Sequence, residues 1–226
     1  MRLWFGLIVG VLGVGILLWL GVWQVQRLAW KEDLLARIDT RIGAEPGSLL
    51  AAVEPDFQRY APVSVTGVFD PDARHIRALA SRKTVGAVYR IIRPFQAEDY
   101  GRILVDTGWI RDGVTDVPPV PSGPVTLVGN LDNPNEADGF TPAPELDSNI
   151  WFARDVPEMA RTLGTEPVLV VLRDAPETDL GVTPWPVDTA GIPNDHLQYA
   201  ITWFSLAGIW GAMTIYFLLR TRRSAR

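Results

Sequence analysis

Two uncharged apolar runs bracket the chain, Leu3 to Trp23 and Leu197 to Leu219. They hold 21 and 23 residues, and a helix rising about 1.5 Å per residue needs about 20 to cross the hydrocarbon core of a bilayer. The pattern predicts a membrane protein with transmembrane helices over 3–23 and 197–219. The first run is too long for the apolar region of a signal peptide, and no small-x-small cleavage site follows it, so it reads as an uncleaved anchor. It closes on Trp19, Trp23 and Gln24, then Arg27, Trp30 and Lys31, the composition of an interfacial belt. Gln198, Thr202, Ser205 and Thr214 interrupt the second run without preventing insertion.

Between the runs the period changes. Arg27 to Arg41 sets charges against Leu28, Leu34, Leu35 and Ile38 at helical spacing, which predicts a helix continuing beyond the first span until Glu45-Pro46-Gly47 stops it. A short helix is predicted near 48–53. Alternation then takes over. Arg59 to Phe69 alternates about Val63, Val65 and Val68, and strand-like runs follow at His75–Ala80, Val85–Phe95, Ile103–Ile110, Val125–Leu131 and Val168–Leu172. Turn signals at Asp70-Pro71-Asp72, Tyr100-Gly101, Arg111-Asp112-Gly113 and Pro118 to Pro124 separate most of them. About six short strands at this spacing predict an α+β, mainly antiparallel unit curled into a small barrel or sandwich. One further helix is marked by Asp155 as N-cap, Pro157 in its first turn and Gly164 at its C-cap. Asp132–Asn149 and Ala175–Asp195, rich in proline, aspartate and asparagine, read as loops. The predicted organisation is a helix over 3–23, a β-rich unit with a helical extension over 24–196, a second helix over 197–219 and a basic tail over 220–226.

Charge orients this arrangement. Arg220, Arg222, Arg223 and Arg226 follow the second run and Arg2 precedes the first, so the positive-inside bias puts both termini in the cytoplasm. The middle then faces outward, into the periplasm for the inner membrane of a Gram-negative bacterium. The middle from Arg27 to Asp195 holds all 26 acidic residues and 16 of the 21 basic ones, a balance of -10. Such a surface does not neutralise phosphates, and nucleic acid is not an expected partner. The absence of cysteine excludes disulfides, zinc–thiolate sites, thiol redox motifs and covalent c-type haem attachment.

Little conventional chemistry is visible. There is no phosphate-cradling glycine loop and no nucleophile elbow. Gly6, Gly10, Gly13 and Gly15 fall inside the first span, where small residues serve helix packing. An outward-facing enzyme has no nucleophile, cofactor or metal constellation to support it. His75, between Arg74 and Arg77, reads as an exposed strand residue. His196 stands at the outer mouth of the second span, with Tyr199, Trp203, Ala207 and Trp210 following on one helical face. Two readings are open: the imidazole caps the helix above an aromatic belt, or it is an axial ligand for a flat apolar macrocycle such as haem.

The segment Asn194-Asp195-His196-Leu197-Gln198-Tyr199-Ala200-Ile201-Thr202-Trp203-Phe204-Ser205-Leu206-Ala207 resembles the C-terminal signature of the Surfeit locus protein 1 family, called Shy1 in yeast. Leu20-Gly21-Val22-Trp23-Gln24-Val25-Gln26-Arg27-Leu28-Ala29-Trp30-Lys31 is similar to its N-terminal signature, and Gly67-Val68-Phe69-Asp70 and the block from Gly101 to Ile110 resemble its two middle blocks. One departure stands out: Thr107 occupies the position before Gly108-Trp109 where the family usually has arginine. The resemblance implies assembly work on haem–copper terminal oxidases, chiefly cytochrome c oxidase, with haem a as the expected cofactor. It makes His196 the leading ligand candidate for haem iron. Tyr199 and Trp203 become second-tier pocket residues, and Trp23, Gln24 and Arg27 are expected to approach from the first helix. The expected partners are the catalytic subunit I of the oxidase, haem a synthase and membrane lipid. The competing expectation is a membrane-tethered scaffold that holds an oxidase intermediate through protein contacts without binding haem.

Overall fold

The computed structural model describes residues 2–114, 116–175 and 179–223. Residues 176–178 of the second predicted loop and 224–226 of the predicted basic tail lie outside the described residues, as do Met1, Thr115 and the side chains of Arg2 and Leu3. Two compact units form, Met1–Arg37 with Thr189–Arg226, and Ile38–Asp188.

The first unit contains the apolar runs. Helix α1 spans Arg2–Ile42, 41 residues, and helix α4 spans His196–Arg223, 28 residues. Both are long and apolar enough to cross a membrane. The predicted anchor and the predicted helical extension are thus one uninterrupted helix. It ends at Ile42, before Glu45-Pro46-Gly47 is reached. The Ile42 carbonyl, which has no partner within the helix, accepts hydrogen bonds from Asn130 Nδ2 at 3.0 Å and Arg173 Nη1 at 3.2 Å.

The second unit is a sheet that closes on itself. Its elements in chain order are β1 (Gly47–Ser48), α2 (Leu49–Val53), β2 (Pro62–Phe69), β3 (Ile76–Arg82), β4 (Gly86–Ala97), β5 (Gly101–Arg111), β6 (Pro124–Asp132), β7 (Ile150–Trp151), α3 (Val156–Leu163) and β8 (Leu169–Asp174). All six predicted strands are present, and Asp155 and Gly164 cap α3 as expected. The strand order is β1-β2-β6-β8-β5-β4-β3-β7, and an added pairing of Gly67–Phe69 in β2 with Phe95–Ala97 in β4 closes the ring. The expectation of a mainly antiparallel sheet is corrected: the sheet is mixed, with parallel junctions at β1–β2, β3–β7 and β5–β8. Strands β1 and β7 are two residues each, too short to carry an alternating pattern.

Two cores follow from the alternation along the shared strands. Ile103 and Val105 of β5, with Val170 and Leu172 of β8, pack inside the ring against Val63, Phe95 and Leu127. Their sequence neighbours Leu104, Leu169 and Val171 point the other way and pack on Trp151 and on Val156, Met159 and Leu163 of α3. Because β5 and β8 are covered on both faces, they read as nearly unbroken apolar runs.

A charged cluster is buried in this unit. Asp106 is 1% exposed and accepts from Arg90 Nε at 2.5 Å, while Arg154 Nη1 stands 3.6 Å away. Arg90 also donates to the Trp185 carbonyl at 2.8 Å and lies over its ring, and Arg154 forks onto Glu136 and approaches Asp132 at 3.8 Å. Burial pushes the Asp106 carboxyl above the usual carboxylate range, opposed by Arg90 and then Arg154. Next to it, Gly108 has φ +134 and passes against the Thr183 carbonyl, so only glycine fits there without strain.

Candidate cofactor site on the helix pair

The two apolar helices are antiparallel, and glycines on α1 make room for bulky side chains on α4. A methyl group added at Gly6 or Gly21 would lie 2.6 Å from the ring of Phe217 or Phe204. Gly10 in the same way meets Thr214, and Gly13 meets the indole of Trp210. The seats run in opposite sequence order on the two helices. Spacings of three and four residues keep Gly6, Gly10, Gly13, Gly21 and Gln24 on one face. Gly15, also expected to pack, has nothing near it. Gly13, Ile16 and Leu17 with Leu206, Ile209 and Trp210 line an apolar furrow of about 390 Å³.

This close approach has a direct check. A Cβ on Gly10 would lie 2.9 Å from that of Thr214, and a disulfide spans about 3.5–4.5 Å between Cβ atoms. Oxidation of a Gly10→Cys/Thr214→Cys protein is expected to give one reducible intramolecular cross-link, in a chain with no cysteine background. Pairing Thr214→Cys with Gly15→Cys should give none. Adding Gly21→Leu, which wedges the ring of Phe204 outward, should lower the cross-linking yield; mobility on a non-reducing gel reads all three.

At one end of the pair stands the polar contact. Asp195 O accepts from Tyr199 N at 3.1 Å, so α4 starts at His196. The imidazole does not fold back to cap its own helix. Its Nδ1 lies 2.8 Å from Gln24 Oε1 on α1, across 172 positions of sequence. Gln24 is only 8% exposed, in a stretch of α1 that is otherwise largely exposed. A carboxamide oxygen only accepts, so this contact matches the imidazole tautomer with its proton on Nδ1 and its lone pair on Nε2. Ala200 and Ala207 are the buried residues of α4, and Trp203 is half-buried between them with its Nε1 lacking a hydrogen-bond partner. Asn194 Oδ1, two residues before His196, is also buried without one.

The sequence-predicted residues therefore divide. His196 and Gln24 meet, and Trp203 lies half-buried on the same α4 face as His196. Tyr199 is 55% and Trp23 43% exposed. Arg27 is exposed, with its guanidinium 4.5 Å above the ring of Trp30 on its own helix. His75 also differs from expectation: it precedes β3 and is half-buried. Sequence reasoning did not find the Arg90–Asp106–Arg154 cluster, whose members stand on separate stretches of the chain that no local pattern links.

The donor set suits haem. A histidine that presents Nε2 while Nδ1–H is held by an acceptor is oriented and made more basic for axial ligation. The buried unsatisfied polar atoms of Trp203 and Asn194 lie close by in sequence.

The SURF1 family matches residues 11–208 of this chain. This protein belongs to the SURF1 family. Surfeit locus protein 1 of Homo sapiens is 33% identical over 228 residues, covering 90% of this chain and 73% of the human protein. That of Xenopus tropicalis is 31% identical over 214 residues, covering 83% of this chain and 67% of its own. A SURF1-like protein of Rickettsia bellii (strain RML369-C) is 28% identical over 219 residues, covering 93% and 89%. SURF1 proteins are known as cytochrome oxidase assembly factors. In this SURF1 protein, Thr107 is fully buried and donates from Oγ1 to the Ile91 carbonyl at 3.0 Å, where the β4–β5 register slips. Position 107 is thus an interior position here.

Proposed function

We propose that this protein binds haem a on the α1–α4 pair and assists its insertion into the catalytic subunit I of a haem–copper oxidase, with His196 as the iron ligand. The observation that carries this reading is the 2.8 Å contact of His196 Nδ1 with Gln24 Oε1, which leaves Nε2 free to coordinate. Haem a is insoluble in water because of its long farnesyl tail, and two helices apolar enough to enter a bilayer offer it shelter. In this reading both termini lie in the cytoplasm and the sheet unit on the outer side, which the arginines after α4 favour. When bound, the haem supplies a redox-active iron, here as cargo. Gln24 fixes the tautomer and direction of His196. Arg27 and Lys31, near the membrane interface, supply positive charge for propionates. A single histidine suits a carrier, since delivery requires release. The role is non-catalytic, and the sheet unit is the docking module for subunit I.

Purification in mild detergent from cells that make haem a tests the reading. The expected result is a Soret band at about one haem per chain and co-purification of subunit I. Full co-purification and oxidase activity with no haem on the protein would instead support the scaffold reading.

A further inference from the structure

A second polar site lies wholly within the sheet unit. Arg93 of β4 is 5% exposed, yet among the described residues no carboxylate lies within ion-pair distance of it. Its Nη2 donates to the Pro118 carbonyl at 2.5 Å, and its buried Nη1 has no partner. Burial alone pulls this guanidinium down to about 10. A buried cation without a counter-charge is costly, and native proteins rarely tolerate one unless something anionic completes it. Arg93 also lines a cavity of about 300 Å³ that includes His75, Asp70, Pro71, Pro118 and Phe69, at the small end of the range for ligand sites. The His75 imidazole is held below its ordinary value by burial, then by Arg93 and Arg77. Asp70 is the one acidic residue among the lining residues, and its charge is countered by Arg102 at 3.6 Å. The other side chains of the lining are apolar, with Pro71, Pro94, Pro118 and Pro119 among them.

We propose that this cavity is a carboxylate-binding site, in which Arg93 forms the ionic contact and the proline walls take the ligand's apolar part. The site is independent of the haem reading and stands or falls without it. The carboxylate belongs either to a small free acid or to the end of a polypeptide, and the chemistry of recognition is the same for both.

The full chain in detergent micelles, labelled at its two histidines, provides the readout. Butyrate, added at ionic strength matched with chloride, should raise the His75 pKa saturably by bringing a negative charge beside it. Arg93→Gln should weaken this binding about tenfold or more, since a charge-assisted contact is lost. Arg93→Lys, which keeps a cation, should retain most of it and guards against a folding defect in the first variant. An N-acetylated tripeptide with a free terminal carboxylate, compared with its terminal amide, separates the two sources. Tighter binding of the peptide acid than of butyrate assigns a polypeptide end, and the reverse assigns a small acid. A His75 shift that never saturates, one that saturates alike in wild type and Arg93→Gln, or equal binding of acid and amide overturns the proposal.

Discussion

Asp106→Ala is expected to lower the stability of the sheet unit by about 3–5 kcal/mol. The carboxylate is the one anion between two guanidiniums, Arg90 at 2.5 Å and Arg154 at 3.6 Å, and it is 1% exposed. Removing it leaves Arg90 buried with no opposite charge, although its bond to the Trp185 carbonyl survives. It also removes the acceptor of the Gly108 N–H at 3.3 Å, so a backbone donor in a tight passage is left unsatisfied. Against a total stability of about 5–15 kcal/mol for an ordinary domain, such a loss brings unfolding within reach of mild conditions. Asp106→Asn keeps the shape and an acceptor oxygen and should cost less. A double change of Asp106→Leu with Arg90→Met, which removes both charges together, should recover much of the loss. Denaturant unfolding of the full chain, followed by tryptophan fluorescence, separates the three. A cost below about 1 kcal/mol for Asp106→Ala would mean that the arginines find water or Glu136 instead.

The second large effect concerns the helix pair. If His196 is the iron ligand, His196→Ala removes the Soret band, while the circular dichroism of the helices is unchanged because the imidazole caps nothing in α4. Gln24→Leu is the more informative variant. It leaves the ligand in place but takes away the acceptor that fixes Nδ1–H, and loss of such an outer partner typically weakens a metal centre about 10- to 100-fold. Haem retention after dilution should therefore rank wild type above Gln24→Leu, and Gln24→Leu above His196→Ala. Tyr199→Phe and Trp23→Leu, at exposed positions, should stay close to wild type. Equal retention by Gln24→Leu and wild type would break the link between the observed contact and the cofactor.

The strands were legible because one-sided burial writes itself as alternation, as at Val63, Val65 and Val68. What alternation does not encode is the direction of the neighbouring strand. The parallel β5–β8 junction therefore turned an expected mainly antiparallel sheet into a mixed one. The clue was the unbroken run Val168 to Leu172, which marks a strand covered on both faces. Capping chemistry at Asp155 and Gly164 is local, so α3 was legible almost to the residue. The site was legible only in part. Gln24 and Trp23 are neighbours in the same motif, but a helix turns about 100° per residue, so only one of them can face α4. Nothing in the motif says which. The Gln24–His196 contact spans the chain, and no local pattern reports it. Arg93 and Asp106 look like ordinary strand charges until the sheet unit folds and buries them.

The separation of 172 positions from Gln24 to His196 also sets an order of events. Every strand of the sheet lies between Gly47 and Asp174, so a growing chain has all of them before the ribosome has made any of α4. At that stage the glycine seats of α1 have no partner helix. The Gln24–His196 contact comes into being only once α4 is made, and a nascent chain cut short after the sheet would carry every strand but no helix pair. Among these elements, the helix pair is the one a growing chain can assemble only after every strand has been made.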